Sequence, residues 1–291
     1  MASSARRTEM KKEFLEKEII GLDDCFSLEG KNVVVFGGAG KMAASFSRTL
    51  LAARCRNLAL VDSNAEKVQD VAAKLKKEFP DRVVFALAGR ADNDVALERI
   101  VRALKKKAGT IDVLIYAVMS KPENYYAPLP VYRRKTWDES LSGNLSGAFL
   151  VTQKCIPLFN TKASVIYISS TYGIVSPDFR IYEKVRSNIY GGKYPLTLPA
   201  VYAASKAGLI GLARYMAVYL ADKEIRVNAF VPGGVYDSQD ENFYREYVKR
   251  TPLRRMAAWT DYNGAILFLA SEASRYMTGQ ILVVDGGFSA W

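Results

Sequence analysis

Short apolar runs alternate with longer amphipathic stretches along most of the chain. Continuous apolar runs are typical of strands buried on both faces of a parallel sheet, and apolar positions three and four residues apart are typical of helices. The runs that predict strands lie at 32–36, 58–62, 82–86, 111–115, 165–170, 226–230 and 279–287. Predicted helices include 64–79, 93–107 and a long helix that contains residue 202. This alternation predicts an α/β fold with a doubly wound parallel sheet in a single domain.

The composition is that of an ordinary globular protein. With 291 residues, of which 49% are hydrophobic and 24% charged, the chain is long enough for one large domain. No apolar run approaches the roughly 18 residues of a membrane span, and residues 1–10 lack the apolar core of a signal peptide. The cysteines Cys25, Cys55 and Cys155 lie far apart. We therefore expect a soluble cytoplasmic protein with reduced thiols and no membrane partner.

Residue types and charge narrow the chemistry. The sequence contains no histidine, which excludes Ser-His-Asp hydrolysis, Cys-His nucleophiles and His-ligated metal sites, and we expect no metal. The net charge of +11 could serve an anionic ligand or a nucleic acid. Scattered basic residues more often form a solubilising surface, so we do not expect a nucleic-acid partner.

Residues 1–30 precede the first predicted strand and form a predicted N-terminal arm, with a candidate helix at 8–20. The apolar residues of this arm do not form one clean face. The arm could contact a second subunit or cover an active site, but a frayed terminus is the simpler interpretation.

A glycine-rich turn follows the first predicted strand at once. It contains Gly37, Gly38 and Gly40, and apolar residues at helical spacing begin at Met42. The glycines therefore join a buried strand to a helix N-terminus, where main-chain N–H groups can bind a pyrophosphate. Lys41 could contact a cofactor phosphate or point into solvent. The turn predicts a dinucleotide site.

Asp62 ends the second predicted strand, roughly 20 residues beyond the glycines, where an acid binds the hydroxyls of an adenosine ribose. Its charge would repel the 2′-phosphate of NADP. We therefore expect NAD(H) rather than NADP(H), with Lys41 as the counter-argument. The alternative is that Asp62 only caps the next helix.

Tyr202 and Lys206 are four residues apart in a predicted helix, so they share one face. A neighbouring ammonium can lower the pKa of a phenol from about 10 toward neutrality, which makes the phenol an acid/base. Ser170 ends the fifth predicted strand, where its hydroxyl could bond a substrate oxygen. Asn144 lies earlier, between two glycines.

In this order, Asn144, Ser170 and the pair Tyr202-x-x-x-Lys206 resemble the short-chain dehydrogenase/reductase family, and the resemblance runs from about residue 31 to 289. It implies a Rossmann-type fold and an NAD(P)-dependent enzyme that interconverts a secondary alcohol and a ketone. It further implies that Tyr202 is the acid/base, that Lys206 also holds the nicotinamide ribose, that Ser170 orients the carbonyl and that Asn144 anchors a relay water. A homodimer or homotetramer is implied as well.

The same resemblance assigns further residues to the cofactor. Asp92 is an approximate substitute for an acid that contacts adenine, and Ala117 lies in the segment 116–119, where relatives have Asn-Asn-Ala-Gly. Pro232, Gly233 and Val235 fall on the nicotinamide side. The glycine turn departs from the family pattern TGxxxGxG, and its spacing resembles the extended members.

The chain between Ser170 and Tyr202 is longer than in typical relatives, so the extra segment 176–199 is expected over the active-site mouth. Tyrosines stack on sugar faces and arginines bind phosphate or carboxylate. We therefore expect a polar, anionic carbohydrate-like substrate, such as a sugar phosphate or a nucleotide sugar; the alternative for this segment is an interface loop. Residues 235–257 form a second expected substrate-side segment. The expected contacts are Arg180, Tyr182, Tyr190, Tyr194 and Tyr236.

The C-terminal half also resembles dehydrogenases of flagellin-modification and nonulosonic-acid pathways, through segments such as 232–234 and 284–288. This closer resemblance implies sugar-type substrates. A nucleotide-sugar epimerase or dehydratase is an alternative that the spacing of the glycine turn favours and the chain length does not. A non-catalytic dinucleotide- or RNA-binding protein is another, which the altered cofactor motifs favour and the complete set of Asn, Ser, Tyr and Lys does not.

Overall fold

Seven strands form one parallel sheet in the computed structural model, which describes residues 21–291. The strands are β1 (Asn32–Phe36), β2 (Asn57–Asp62), β3 (Val83–Ala88), β4 (Ile111–Tyr116), β5 (Phe159–Ile168), β6 (Arg226–Pro232) and β7 (Ile281–Val284). Their order across the sheet is β3-β2-β1-β4-β5-β6-β7. Because β1 lies between β2 and β4, successive strands run outward in opposite directions from this point, which opens a crevice at the carboxyl ends of the strands.

Helices cover both faces of the sheet. They are α1 (Leu22–Phe26), α2 (Lys41–Ala52), α3 (Ala65–Glu78), α4 (Asp94–Ala108), α5 (Arg134–Leu141), α6 (Gly147–Cys155), α7 (Ala200–Tyr219), α8 (Glu241–Arg250) and α9 (Asn263–Ala270). A π-helical segment, Ser142–Ser146, joins α5 to α6. Short 3-10 turns occur at Leu129–Val131, Ile156–Leu158, Thr171–Gly173, Phe179–Ile181, Ala221–Lys223, Trp259–Tyr262 and Glu272–Ser274.

Each face of the sheet has its own hydrophobic core. On one face, α4, α6 and α7 pack apolar residues such as Leu97, Val151 and Leu209 against the strands. On the other face, α2, α3 and α9 do the same with residues such as Phe46 and Ile266. These residues recur at helical spacing on the covered side of each helix, so burial of the apolar face explains where the helices lie. The prediction of a doubly wound parallel sheet in a single domain is confirmed.

Most strand boundaries lie within two residues of those expected, and the larger differences are at the end of the last strand and the start of the fifth. The last strand ends at Val284 rather than 287, because Gly286 and Gly287 have positive φ angles of 66° and 87°, which extended backbone does not adopt. The fifth strand begins at Phe159, ahead of the apolar run, and Lys162 within it has a φ of 67°.

A third, smaller cluster lies above the crevice. The segment 176–199 contributes Ile181, Val185 and Leu196, and the segment 235–257 contributes Phe243 and Tyr247, all of them buried. The two segments also share hydrogen bonds, since the Asp240 carboxylate accepts from the main chain of Arg186. They therefore form one packed unit at the carboxyl edge of the sheet.

The predicted arm lies mostly outside the described residues, including its candidate helix at 8–20. Within the described part, Leu28 is fully buried and its N–H donates to the carbonyl of Ala53. The packed fold therefore includes residues before 31. Among residues 21–291, no helix combines the length and apolar character needed to cross a membrane.

Candidate active site

The crevice at the carboxyl ends of the strands holds a cavity of about 850 Å³. Its wall combines the glycine turn after β1, the end of β5, the start of α7, and the segments 176–199 and 235–257. Of the residues predicted from the sequence for catalysis and cofactor binding, those that line this cavity are Gly37, Gly40, Lys41, Met42, Ala117, Ser170, Tyr202, Lys206, Pro232, Gly233 and Val235.

Lys206 lies one turn beyond Tyr202 on α7, and its side chain is held in a fixed position. Its Nζ donates to the carbonyl oxygen of Ile168 at 2.8 Å and lies 5.8 Å from the centre of the Tyr202 ring. The residue is only 4% exposed, and burial lowers the pKa of its ammonium from 10.5 to about 8. A second contact fixes the helix, because the Ser169 hydroxyl donates to the Lys206 carbonyl at 2.7 Å. The end of β5 and the start of α7 therefore form one rigid wall.

Burial raises the pKa of the Tyr202 phenol above its ordinary value, and the nearby Ser170 hydroxyl offsets this rise only in part. The expectation that Lys206 lowers the pKa of Tyr202 is therefore not met in the protein by itself. The physical reason is that removing a phenolate from water costs more than the neighbouring groups return. Ser170 is itself positioned by its main chain, since its Oγ accepts from the Tyr172 N–H at 3.2 Å.

Asn144 lies in the π-helical segment and is fully buried. Its side-chain Oδ1 accepts from the N–H of Ser120 at 2.6 Å, so it ties this segment to the chain that leaves β4. π-helical segments are rare and occur mostly at functional sites. The side-chain amide is thus engaged by protein, and Asn144 does not line the cavity described above.

Tyr116 and Ser120 leave no room for a side chain at the glycines near Asn144. Its buried hydroxyl donates to the carbonyl of Gly143. A Cβ at Gly147 would overlap this hydroxyl, and a Cβ at Gly143 would lie 2.5 Å from the Cβ of Ser120. The tyrosine that stands where relatives have asparagine therefore packs directly under the π-helical segment.

The glycine turn approaches its neighbours too closely for any side chain. Gly37 has a φ of 81°, and a Cβ there would lie 2.6 Å from the carbonyl oxygen of Ala117. A Cβ at Gly38 would lie 2.8 Å from the Cβ of Leu60. Gly40 is the N-cap of α2 and has no side chain to cap the helix. The N–H groups of the first turn therefore lie at the crevice without a side-chain acceptor from the N-cap. This arrangement fits the pyrophosphate of a dinucleotide.

A second cavity of about 290 Å³ adjoins the glycine turn and includes Asp62 and Asp92. The Asp62 carboxylate accepts from the N–H of Ala39 at 3.1 Å and from the N–H of Asn64 at 3.0 Å, so it stabilises the turn as well as facing the cavity. The helix cap at α3 comes from Asn64 instead. The alternative of Asp62 as the capping residue of this helix is therefore wrong.

Asp92 is held by protein groups. Burial acts to raise the pKa of its carboxyl, but hydrogen bonds from Arg90 and Ser142 outweigh burial and lower the pKa below its usual range. The Arg90 guanidinium donates at 2.7 Å and the Ser142 hydroxyl at 2.8 Å. Asp92 thus lines the second cavity with its oxygens engaged, and it connects that cavity to the π-helical segment.

The side chain of Lys41 is 64% exposed but is held by an ion pair. Its Nζ pairs with the carboxylate of Asp237 at 2.5 Å. Asp237 belongs to the segment 235–257, so this ion pair connects the glycine turn to the far wall of the cavity.

Of the expected substrate contacts, Tyr182 and Tyr190 line the cavity, whereas Arg180, Tyr194 and Tyr236 do not. Arg180 is 73% exposed and pairs with Asp178 at 2.9 Å. Tyr194 packs against the third cluster, and Tyr236 lies against Tyr244 with ring centres 5.3 Å apart. None of these three side chains lines the cavity, since each packs against or pairs with other protein groups.

Several residues that line the cavity were not predicted from the sequence. Lys121, Tyr125 and Tyr126 follow β4, Tyr172 follows β5, and Trp259 precedes α9. The available signal was topological, because every loop after a strand in such a sheet opens on the same edge. The irregular loop from 119 to 127 therefore had to contribute to the crevice.

Both halves of the chain are similar to known proteins. Residues 31–182 match the family model for short chain dehydrogenases, and residues 184–289 match the model described as enoyl-(acyl carrier protein) reductase. The chain is 33% identical over 287 residues to a ribulose-forming D-arabinitol 2-dehydrogenase of Candida albicans, with 91% of this chain and 95% of that protein covered.

Solved structures share the fold. A short chain dehydrogenase from Leptospira borgpetersenii with bound NAD+ has a TM-score of 0.77 and 26% identity, and covers 94% of this chain and 98% of its own. A gluconate 5-dehydrogenase from Burkholderia cenocepacia, in complex with NADP and tartrate, has a TM-score of 0.79 and 24% identity, with 93% and 100% covered. At 24% identity, the gluconate 5-dehydrogenase is similar to this chain in fold alone.

The first family model covers more than half of the chain, and the Candida protein is similar over nearly its whole length. The parallel sheet and the glycine turn agree with both. The chain therefore belongs to the short-chain dehydrogenase/reductase family and is an oxidoreductase of that type.

Proposed function

We propose that the protein interconverts a secondary alcohol and a ketone on a carbohydrate-type substrate, with NAD(H) as the cofactor. The observation that carries this proposal is that Ser170, Tyr202 and Lys206 share the wall of one cavity with the glycine turn. The similarity to a D-arabinitol dehydrogenase supports a carbohydrate-type substrate. The expected resemblance to flagellin-modification and nonulosonic-acid dehydrogenases stays a prediction.

In this proposal Tyr202 gives or takes the proton at its phenolic oxygen, and Ser170 holds the substrate oxygen by a hydrogen bond. Lys206 supplies positive charge beside the phenol, at a position set by its bond to Ile168. The side-chain amide of Asn144 is engaged by Ser120, so a part in a water relay would fall to its main-chain carbonyl.

A nicotinamide dinucleotide would supply the hydride donor or acceptor that amino-acid side chains lack. The fit rests on the absence of room for a Cβ at Gly37 and on the N-terminus of α2 with its glycine cap. The residues proposed to hold it are Gly37, Gly38, Gly40, Lys41, Met42, Asp62, Asp92, Ala117, Lys206, Pro232, Gly233 and Val235.

Asp62 supports NAD(H) over NADP(H), because its carboxylate lines the second cavity, where a 2′-phosphate would meet a negative charge. Two observations weaken the counter-argument from cations. Lys41 is paired with Asp237, and Arg90 is paired with Asp92. Asp62→Ala should therefore reduce the preference for NAD(H) over NADP(H) by about 10-fold or more, since a charge contact contributes about 1.5–3 kcal/mol. An unchanged ratio of kcat/KM for the two cofactors would contradict this assignment.

We also propose a homodimer or homotetramer. Tyr215, Val218 and Tyr219 on α7 are 63%, 80% and 64% exposed and form a neighbouring apolar group. Such a surface supports a contact between subunits. Sedimentation of the full chain at a monomer's mass, at micromolar concentration, would refute it.

The test of the function begins with thermal melts of the protein alone, with NAD(H) and with NADP(H). A nucleotide at 100 times its Kd adds about 2.7 kcal/mol to stability, which a melt detects readily. Turnover of NADH is then followed spectrophotometrically with ketoses, and of NAD with polyols and sugar acids. Tyr202→Phe should keep the melt shift and lose turnover. Failure of both nucleotides to stabilise the protein would overturn the proposal.

A further inference from the structure

Lys121 projects from the loop after β4 into the cavity that contains Tyr202 and Lys206. Its Nζ lies 3.9 Å from the ring centre of Tyr190 and 5.8 Å from that of Tyr126. The two rings are themselves stacked, with centres 6.2 Å apart and an angle of 17° between their planes. Tyr190 comes from the segment 176–199, so two separate loops hold this ammonium in place by cation–π contacts.

The ammonium of Lys121 has unused hydrogen-bonding capacity. Within residues 21–291 it donates no hydrogen bond and forms no ion pair. The Asp237 carboxylate acts on Lys121 at a distance but is itself paired with Lys41 at 2.5 Å. The N–H donors of this ammonium therefore have no oxygen or nitrogen acceptor among residues 21–291.

The surroundings of this ammonium favour a negative group. Burial lowers the pKa of Lys121 from 10.5 to about 8, with Asp237 opposing this only in part. Its side chain is nevertheless accessible, because it opens on the cavity. An anion beside it would restore the charge interactions that the protein does not provide.

Lys121 also lies near the reacting groups. The Tyr190 phenol, which carries the ammonium on its ring, is close enough to act on the pKa of Tyr202. Tyr126 and Tyr202 are coupled in the same way. Lys121 and Tyr202 line the same cavity, so one bound sugar can contact both residues.

We propose that Lys121 binds an anionic group of the substrate, so that the enzyme acts on a sugar acid or a sugar monophosphate rather than on a neutral polyol. This rests on the proposed function and gives its substrate a chemical class. A lysine presents a compact point charge and accepts either a carboxylate or a phosphate. The charge that the sequence analysis expected from Arg180 is thus provided from a different loop.

The experiment compares three substrates of equal carbon number: a five-carbon alditol, the corresponding aldonate, and the alditol monophosphate. In the wild-type protein, kcat/KM for one of the two anions should exceed that for the alditol. Lys121→Met should reduce this preference about 10- to 100-fold, as expected for the loss of one charged hydrogen bond. Whether the aldonate or the phosphate shows the loss distinguishes the two anions.

Lys193→Met is the matched control. Lys193 also lies over a tyrosine ring, 5.0 Å from the centre of Tyr194, but neither residue lines the cavity. It should leave the preference for the anion unchanged. A wild-type preference for the alditol, or an equal loss of preference in both variants, would overturn the proposal.

A binding measurement separates this inference from the proposed function. Calorimetry of Tyr202→Phe with the aldonate and the monophosphate, with and without Lys121→Met, requires no turnover. If Tyr202→Phe binds an anion in a Lys121-dependent manner while the wild-type protein turns over none of the substrates, the anion site stands and the proposed reaction is refuted. Turnover without any Lys121-dependent anion binding would refute the anion site alone.

Discussion

Replacing Lys206 by methionine should make the cofactor-free protein more stable while abolishing its activity. The ammonium is 4% exposed, and burial lowers its pKa from 10.5 to about 8. At about 1.36 kcal/mol for each pH unit, that difference corresponds to roughly 3 kcal/mol of unfavourable free energy in the folded state. Methionine has a similar length and no charge, so it removes this cost.

The gain is reduced by the contacts that methionine cannot make. The pKa difference already includes the contacts that depend on the charge, so the further loss is the hydrogen bond from Nζ to the carbonyl of Ile168, at a cost of about 1 kcal/mol. The net gain at pH 7 is therefore about 2 kcal/mol, which raises Tm by roughly 4–8 °C for a chain of this size. Turnover should fall by at least about 10²-fold, the usual contribution of a positioned acid/base system.

The pH dependence of the stability difference tests whether the buried charge of Lys206 is its cause. Since the pKa of the folded protein lies below that of the unfolded chain, both states carry the proton below pH 8 and the full cost is present there. As the pH rises from about 8 to 10.5, the folded state releases the proton first and the cost disappears. The advantage of Lys206→Met should therefore shrink by about 1.36 kcal/mol for each pH unit in this range.

Thermal melts of the two proteins between pH 7 and 10 measure this. Lys223→Met is the matched control, because it removes the same charge from an exposed 3-10 turn and accounts for the general effect of lowering a net charge of +11. A variant Lys206→Met that is less stable than the wild type at pH 7, or whose advantage does not change with pH, would refute the reasoning.

Four other substitutions follow from the packing of the site. Gly147→Ala should destabilise the protein by about 1–3 kcal/mol in urea denaturation, because its Cβ would overlap the Tyr116 hydroxyl; unchanged stability would show that the π-helical segment can relax. Tyr125→Phe removes a buried hydroxyl that has no hydrogen-bond partner among residues 21–291, so it should keep or raise stability by up to about 1 kcal/mol. Tyr116→Phe loses the hydrogen bond to the main chain and should lower stability by about the same amount; equal losses in both variants would contradict this contrast. Arg180→Ala should change substrate kcat/KM by less than about 2-fold, since exposed ion pairs contribute little, and a selective rise in KM would show that Arg180 turns into the cavity.

The fold could be predicted from the sequence because its signals are local. An apolar run such as 32–36 and the glycines after it specify a buried strand and a tight turn without reference to the rest of the chain. The helical spacing of Tyr202 and Lys206 is local in the same sense, and both side chains line the same cavity. Strand ends were less well predicted where glycine or an unusual φ angle, as at Lys162, changes the backbone course.

The substrate side could be predicted only in part, because it is formed by contacts between distant segments. The length of the segment 176–199 indicates that it lies over the cavity, but not which side chains turn inward. The side chain of Arg180 is exposed outside the cavity because Asp178, two residues away, binds its guanidinium. The side chain of Lys121 lies in the cavity wall because its ammonium makes a cation–π contact with the ring of Tyr190, which is far along the chain. No property of residue 121 by itself shows this.

The position of Trp259 in the wall of the cavity provides an optical signal for binding. The other tryptophans lie elsewhere, Trp137 against the third cluster and Trp291 at the exposed C-terminus. Reduced nicotinamide absorbs in the emission band of indole, so its arrival should quench Trp259 by energy transfer. The wild-type enzyme can therefore report nucleotide binding by its own fluorescence, in a stopped-flow instrument and without a label.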